Sequence, residues 1–174
     1  MDLETFKRAL TVLAEMGVFH IALGGGEALM RGEIFELATH TRAVGMVPNL
    51  TISGSRMTPE LAERMALFGQ VNVSIDGVGA HAGVFRGRQH FEAADRAIGL
   101  LRRAGVATGI NCVLGRRNFT GLDDLFAYAS EKGLGEIEFL RLKPAGRGVR
   151  LYARERTTYE QNVVLTPLLA ELSQ

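Results

Sequence analysis

Apolar positions along the chain alternate between helical and strand spacing. Leu3, Phe6, Leu10 and Leu13 recur at intervals of three and four, Gly17 closes the stripe, and Asp2 stands where an N-cap belongs. Residues 18–23 form a short apolar run that ends in Gly24-Gly25-Gly26, the pattern of a buried strand entering a loop. Ile34, Leu37, Ala38 and Thr41 predict a second helix stopped by Gly45, and residues 47–52 read as the next strand. Thr58-Pro59 opens a helix with proline at its first position. Residues 71–75, 106–114 and 137–142 read as further strands. The stripe Phe91, Ala94, Ile98 and Leu101 marks a helix ending near Gly105. Thr120 with Asp123 predicts the start of another, which Gly133 ends. Leu165, Leu168, Leu169 and Leu172 line a last helix, with Thr157 and Glu160 at capping-box spacing.

A helix followed by five strand–helix units predicts an α/β protein, a parallel sheet with flanking helices and right-handed crossovers. Whether such a sheet stays open or curls into a partial barrel, its functional residues gather at the carboxyl ends of the strands. No stretch reads as a linker, so residues 1–174 are expected to be one domain. Starting on a helix is odd for this pattern. A strand that should precede it is expected to be missing.

Composition narrows the function classes. Hydrophobic residues at 47% and charged residues at 22% are ordinary globular values, which argues against disorder and coiled coil. Twenty Lys and Arg against nineteen Asp and Glu give +1, too little for a global field toward nucleic acid or an anionic membrane. No apolar run approaches the roughly 18 residues of a spanning helix, and the N-terminus lacks a secretory pattern. The expected partners therefore exclude nucleic acid and membrane, and the expected location is cytoplasmic. One local excess stands out. Arg141, Lys143, Arg147, Arg150, Arg154 and Arg156 face the single acid Glu155, as a solvated loop leading into a helix or as a contact for an anionic or peptide substrate.

The strand ends supply the candidate chemistry. Gly24-Gly25-Gly26 lets backbone approach a ligand closely, and Glu27 can accept hydrogen bonds from a cationic amine; a tight turn with a solvated glutamate is the alternative. The glycines fit neither the dinucleotide fingerprint nor a P-loop. Ser74 and Asp76 share a side if the strand continues through them, suiting ribose or amino-acid recognition, unless Asp76 caps a local turn. His20, His40, His81 and His90 lack metal-ligand spacing, and Cys112 reads as a small buried residue.

Gly25-Gly26-Glu27, the segment 73–77 (Val-Ser-Ile-Asp-Gly) with Arg86-Gly87 and Phe91 after it, and the segment 144–147 (Pro-Ala-Gly-Arg) occur in this order on successive units. Together they resemble the radical S-adenosylmethionine superfamily, in its peptide- and cofactor-maturation branch, over about residues 18–147. The resemblance implies a partial (β/α) TIM-like barrel lacking its first strand. It implies that Gly25, Gly26 and Glu27 hold the methionyl amino group of S-adenosylmethionine. Ser74 is then expected near the ribose or carboxylate, and Asn111 and the Leu140–Arg141 strand end near the nucleoside. Ala28 stands where the family commonly has proline, and Ser53 where an asparagine precedes glycine.

The family also carries three cysteines, spaced C-x3-C-x2-C, that ligate a 4Fe–4S cluster. Here Cys112 is the one cysteine, so no metal ligands are assigned. The resemblance therefore implies the core of a larger enzyme, truncated at both ends and inactive when isolated. Its parent would cleave S-adenosylmethionine reductively to a 5′-deoxyadenosyl radical and modify a peptide or small molecule, the cluster being supplied by a missing segment or a partner. The alternative is a cluster-free scaffold that binds S-adenosylmethionine or a peptide. A plain phosphate-binding α/β protein is a third reading, which Glu27 opposes by its charge.

Overall fold

The computed structural model describes residues 2–173; the side chain of Arg147, part of the basic run and of the resemblance, lies outside the described residues. The chain runs α1 (Leu3–Glu15), β1 (His20–Leu23), α2 (Ile34–Ala43), β2 (Val47–Ile52), α3 (Pro59–Arg64), β3 (Gln70–Ser74) and α4 (Arg88–Arg103). It continues through β4 (Thr108–Leu114), α5 (Leu122–Glu131), β5 (Glu136–Arg141), α6 (Val149–Glu155) and α7 (Tyr159–Leu172). Local signals fix several boundaries. Asp2 Oδ1 accepts from the Thr5 amide at 2.9 Å and starts α1, and Thr58 Oγ1 accepts from the Leu61 amide at 3.2 Å ahead of Pro59.

The five strands form one parallel sheet in the order β1-β2-β3-β4-β5, so each crossover joins spatial neighbours. Because side chains alternate, one face carries Leu23, Leu50, Ile52, Val71, Val73, Ile110 and Cys112, all buried against helices. Leu37 of α2, Ala62 of α3, Ile98 and Leu101 of α4 and Leu125 of α5 close that core. Each fully buried aliphatic side chain contributes roughly 1.5–3 kcal/mol.

The other face is polar. It presents Asn49 and Thr51 from β2, Gln70, Asn72 and Ser74 from β3, Asn111 from β4, and Glu136 and Glu138 from β5. Thr51 and Asn111 belong to strands separated by β3, which lie about 9–10 Å apart in a flat sheet. Their side chains nevertheless meet at 3.1 Å. The sheet is curled toward this face, a half-barrel with the polar side inward and the helices outside.

Three expectations change. The helix after β4 begins at Leu122, because Phe119–Gly121 form a 3-10 turn and no side chain caps it; the Thr120 hydroxyl meets His81 Nε2 at 3.2 Å instead. The capping box of α7 is Thr158 with Gln161, one residue later than Thr157 with Glu160, and the Thr157 hydroxyl donates to Asn162. The basic run is partly helical: α6 ends on Glu155, whose buried carboxylate accepts from Arg117 Nε at 2.7 Å and Arg154 Nε at 2.8 Å. No helix is long and apolar enough to cross a membrane among the described residues.

Candidate functional site at the carboxyl ends of the strands

After β1, Gly25 and Gly26 take φ of 103° and 56°, in the left-handed region that side chains disfavour. This turn delivers Glu27 to the end of β2. Glu27 Oε2 accepts from the Ser53 amide at 3.2 Å and from the Ser53 hydroxyl, while Oε1 accepts from the Leu29 amide at 3.4 Å. Ser53 is thus the residue that ties the β1 and β2 loops together. A carboxylate offers about four acceptor positions, so these three bonds leave capacity for a ligand's donor. A cavity of about 280 Å³ opens beside this loop, bordered by Phe6, Gly24, Gly25, Glu27, Ala28 and Arg31.

Ser74 ends β3 and lies in register with Asn111 of β4. His90 Nε2 holds the Ser74 carbonyl at 3.0 Å, anchoring the start of α4 to the strand end. Leu140 pairs in register with Val113, so it stands on the same face as Asn111 and Glu138, with 39% of its surface exposed.

The structure also places on this face residues that apolar runs did not reveal. Asn111 Nδ2 donates to Thr51 Oγ1 at 3.1 Å, and Asn111 Oδ1 accepts from Asn72 Nδ2 at 2.8 Å. Asn72 Oδ1 accepts from Gln70 Nε2 at 2.8 Å, and the same nitrogen donates to Glu136. A period-two polar pattern, Asn49/Thr51 and Asn72/Ser74, was present inside the segments 47–52 and 71–75 that read as apolar strands, with Gln70 just ahead of the second.

Asp76 does not join the polar face. β3 ends at Ser74, and the Asp76 side chain is wholly buried, with Arg86 Nη1 at 3.4 Å from Oδ1. Burial pushes its carboxyl above the usual range, against the opposing charges of Arg86 and His90. Its carbonyl accepts from Asn118 Nδ2 at 2.6 Å and from the Cys112 thiol at 3.6 Å. Burial, then the nearby Asp76 charge, pushes the Cys112 thiol up to about 12. Cys112 is therefore a neutral core residue at ordinary pH. Among the described residues no group of three or more His, Cys, Asp or Glu side chains could hold a metal ion. The residues present do not fit a thiolate-held cluster.

The half-barrel with its glycine loop and polar strand ends defines a class of protein that the sequence relationships identify. The pattern of the radical SAM superfamily matches residues 1–129, and the chain belongs to that family. Mycofactocin maturase MftC of Mycobacterium tuberculosis (strain CDC 1551 / Oshkosh) is 36% identical over 163 residues, covering 91% of this chain and 41% of the relative. An AdoMet-dependent heme synthase of Methanosarcina barkeri is 33% identical, covering 82% and 42% respectively. The chain thus spans about two-fifths of the curated relatives it matches. Among solved structures, native anSMEcpe with bound AdoMet superposes with a TM-score of 0.67 at 21% identity, over 84% of this chain and 46% of that one. Streptococcus suis SuiB bound to S-adenosylmethionine gives 0.71 at 16% identity, over 97% and 40%. These two likenesses establish the fold.

Proposed function

We propose that the chain is the S-adenosylmethionine-binding part of a radical enzyme that modifies a peptide or a small molecule. In this family S-adenosylmethionine supplies, on reductive cleavage, a 5′-deoxyadenosyl radical able to abstract hydrogen from an unactivated carbon. Gly25 and Gly26 bring backbone close to the methionyl end, and Glu27 accepts from its ammonium group. Ser74 offers a hydroxyl to the ribose or carboxylate, while Asn111 and Leu140 line the nucleoside side, one polar and one apolar. The observation that carries the reading is Glu27: the glycine turn aims its carboxylate at the end of β2, and Ser53 and Leu29 hold it there with acceptor capacity left over. The peptide or small-molecule substrate is supported by the activities for which the relatives are named, a mycofactocin maturase and an AdoMet-dependent heme synthase.

Equilibrium dialysis with S-adenosylmethionine tests the reading. Glu27→Gln removes the charge from the amine contact and is expected to cost about 1.5–3 kcal/mol, about 10- to 150-fold in affinity. Equal binding by both proteins would overturn the assignment. A second reading, a cluster-free scaffold that binds the same ligand, is favoured by the single buried cysteine. Both readings share the binding site and differ in whether thiolates from another segment or partner complete it.

A further inference from the structure

The hydrogen-bonded row on the concave face has a direction, and one charged group sets it. A carboxylate can only accept, so Gln70 must turn its NH2 toward Glu136. The same nitrogen then faces Asn72 Oδ1 at 2.8 Å. Asn72 is left with its NH2 toward Asn111, whose Oδ1 accepts at 2.8 Å. Asn111 is left with its own NH2 toward Thr51 Oγ1, at 3.1 Å. Each amide is oriented by the one before it. The row starts at the first residues of β3 and β5 and finishes at Thr51, next to last in β2 and two residues from Ser53, and at Asn111, midway along β4 and in register with the last residue of β3. Its last members keep unspent donors. The second N–H of Asn111 and the Thr51 hydroxyl hydrogen have no protein acceptor among the described residues.

We infer that Glu136, acting through Gln70 and Asn72, is a positioning residue that fixes the Asn111 carboxamide so that the site offers the Asn111 N–H and the Thr51 O–H to an accepting atom of the bound ligand. The inference rests on the reading that Asn111 faces the nucleoside. Gly109 makes the row physically possible: a Cβ there would stand 2.5 Å from Asn72 Oδ1 and 3.1 Å from Gln70 Nε2. The bare backbone of β4 lets Gln70 reach over it from β3 to β5.

Asn72→Asp tests the direction. The new carboxylate still accepts from Gln70 but can only accept from Asn111, so the Asn111 amide must turn over and present its oxygen to Thr51. The readout is the pair of Asn111 side-chain amide signals in 1H–15N spectra, assigned by their loss in Asn111→Ala, alongside dialysis with S-adenosylmethionine. Asn72→Asp is expected to move both signals and to weaken binding on the order of tenfold. Glu136→Ala is expected to split or average the signals, and Glu136→Gln, whose side-chain oxygen still accepts, to restore the parent pattern. This second pair carries the test if Asn72→Asp does not fold. Asn111 signals unmoved by both Asn72→Asp and Glu136→Ala would overturn the inference. If the signals move as expected while Asn111→Ala binds like the parent, the row stands and the nucleoside assignment of Asn111 fails.

Discussion

Gln70 on β3 donates to Glu136 on β5 across the bare backbone of Gly109, the residue of β4 that lies between them. A side chain that spans a strand in this way requires the sheet to curl, and the curl is what gathers the strand ends into one concave site. Three amides, a hydroxyl and a carboxylate on the inner face are therefore structural as well as chemical.

Gly109→Ala should be destabilising. The added Cβ meets Asn72 Oδ1 at 2.5 Å, inside any real contact, and Glu136 backbone at 3.1 Å. Small-to-large changes at such sites cost about 1–3 kcal/mol. Urea unfolding monitored by circular dichroism measures it; a variant as stable as the parent would show that the inner face is loosely packed.

The two buried carboxylates should respond to pH with opposite sign. For Glu155 burial raises the pKa, but the hydrogen bonds from Arg117 and Arg154 outweigh it and hold the group below its usual value. Its stabilisation is therefore present above the ordinary glutamate value of 4.5 and is lost as pH falls through the lower folded value. Glu155→Gln should cost roughly 1–3 kcal/mol near neutral pH, with the deficit shrinking in acid. Asp76 is raised, so its ionised form costs stability at neutral pH and protonation relieves that cost as pH falls through the raised value. Any advantage of Asp76→Asn over the parent should shrink in acid. Unfolding free energies of the three proteins between pH 3 and pH 7 are the check; parallel curves would contradict both assignments.

Iron–sulfur reconstitution of this chain alone should yield no stoichiometric cluster. Cys112 is the single cysteine, it is buried, and its thiol is pushed up to about 12, whereas a 4Fe–4S cluster requires several thiolates. Iron analysis with electron paramagnetic resonance decides it. A full cluster per monomer without added protein would contradict the ligand count.

The architecture was legible because parallel strands buried against helices on one face leave apolar runs with strong punctuation. Asp2, Thr58-Pro59 and the glycines after α1, α2, α4 and α5 each marked a boundary that the structure keeps. The α7 cap slipped by one residue because Thr157/Glu160 and Thr158/Gln161 both have the right spacing, and only the second pair closes both hydrogen bonds. Helix α6 was hidden: glycines precede it, and Glu155 is held from outside by Arg117. Gly25, Gly26 and Glu27 follow the end of β1, Ser74 ends β3 and Leu140 is next to last in β5, as the order of elements predicts, whereas Asn111 lies midway along β4, in register with Ser74. The row from Glu136 to Thr51 was not read, because apolar runs drew attention to the outer face. Its contacts also join strands two places apart, a relationship that only the curl creates.

The central claim is that S-adenosylmethionine binds at the carboxyl ends of these strands, and a crystal structure of the chain soaked with that ligand tests it most directly. The account expects the methionyl ammonium group within hydrogen-bond distance of Glu27 and the nucleoside beside Asn111 and Leu140, with Ser74 between them. Ligand bound at any other surface, or no bound ligand at saturating concentration while Gly25–Glu27 keeps the conformation described above, would contradict it.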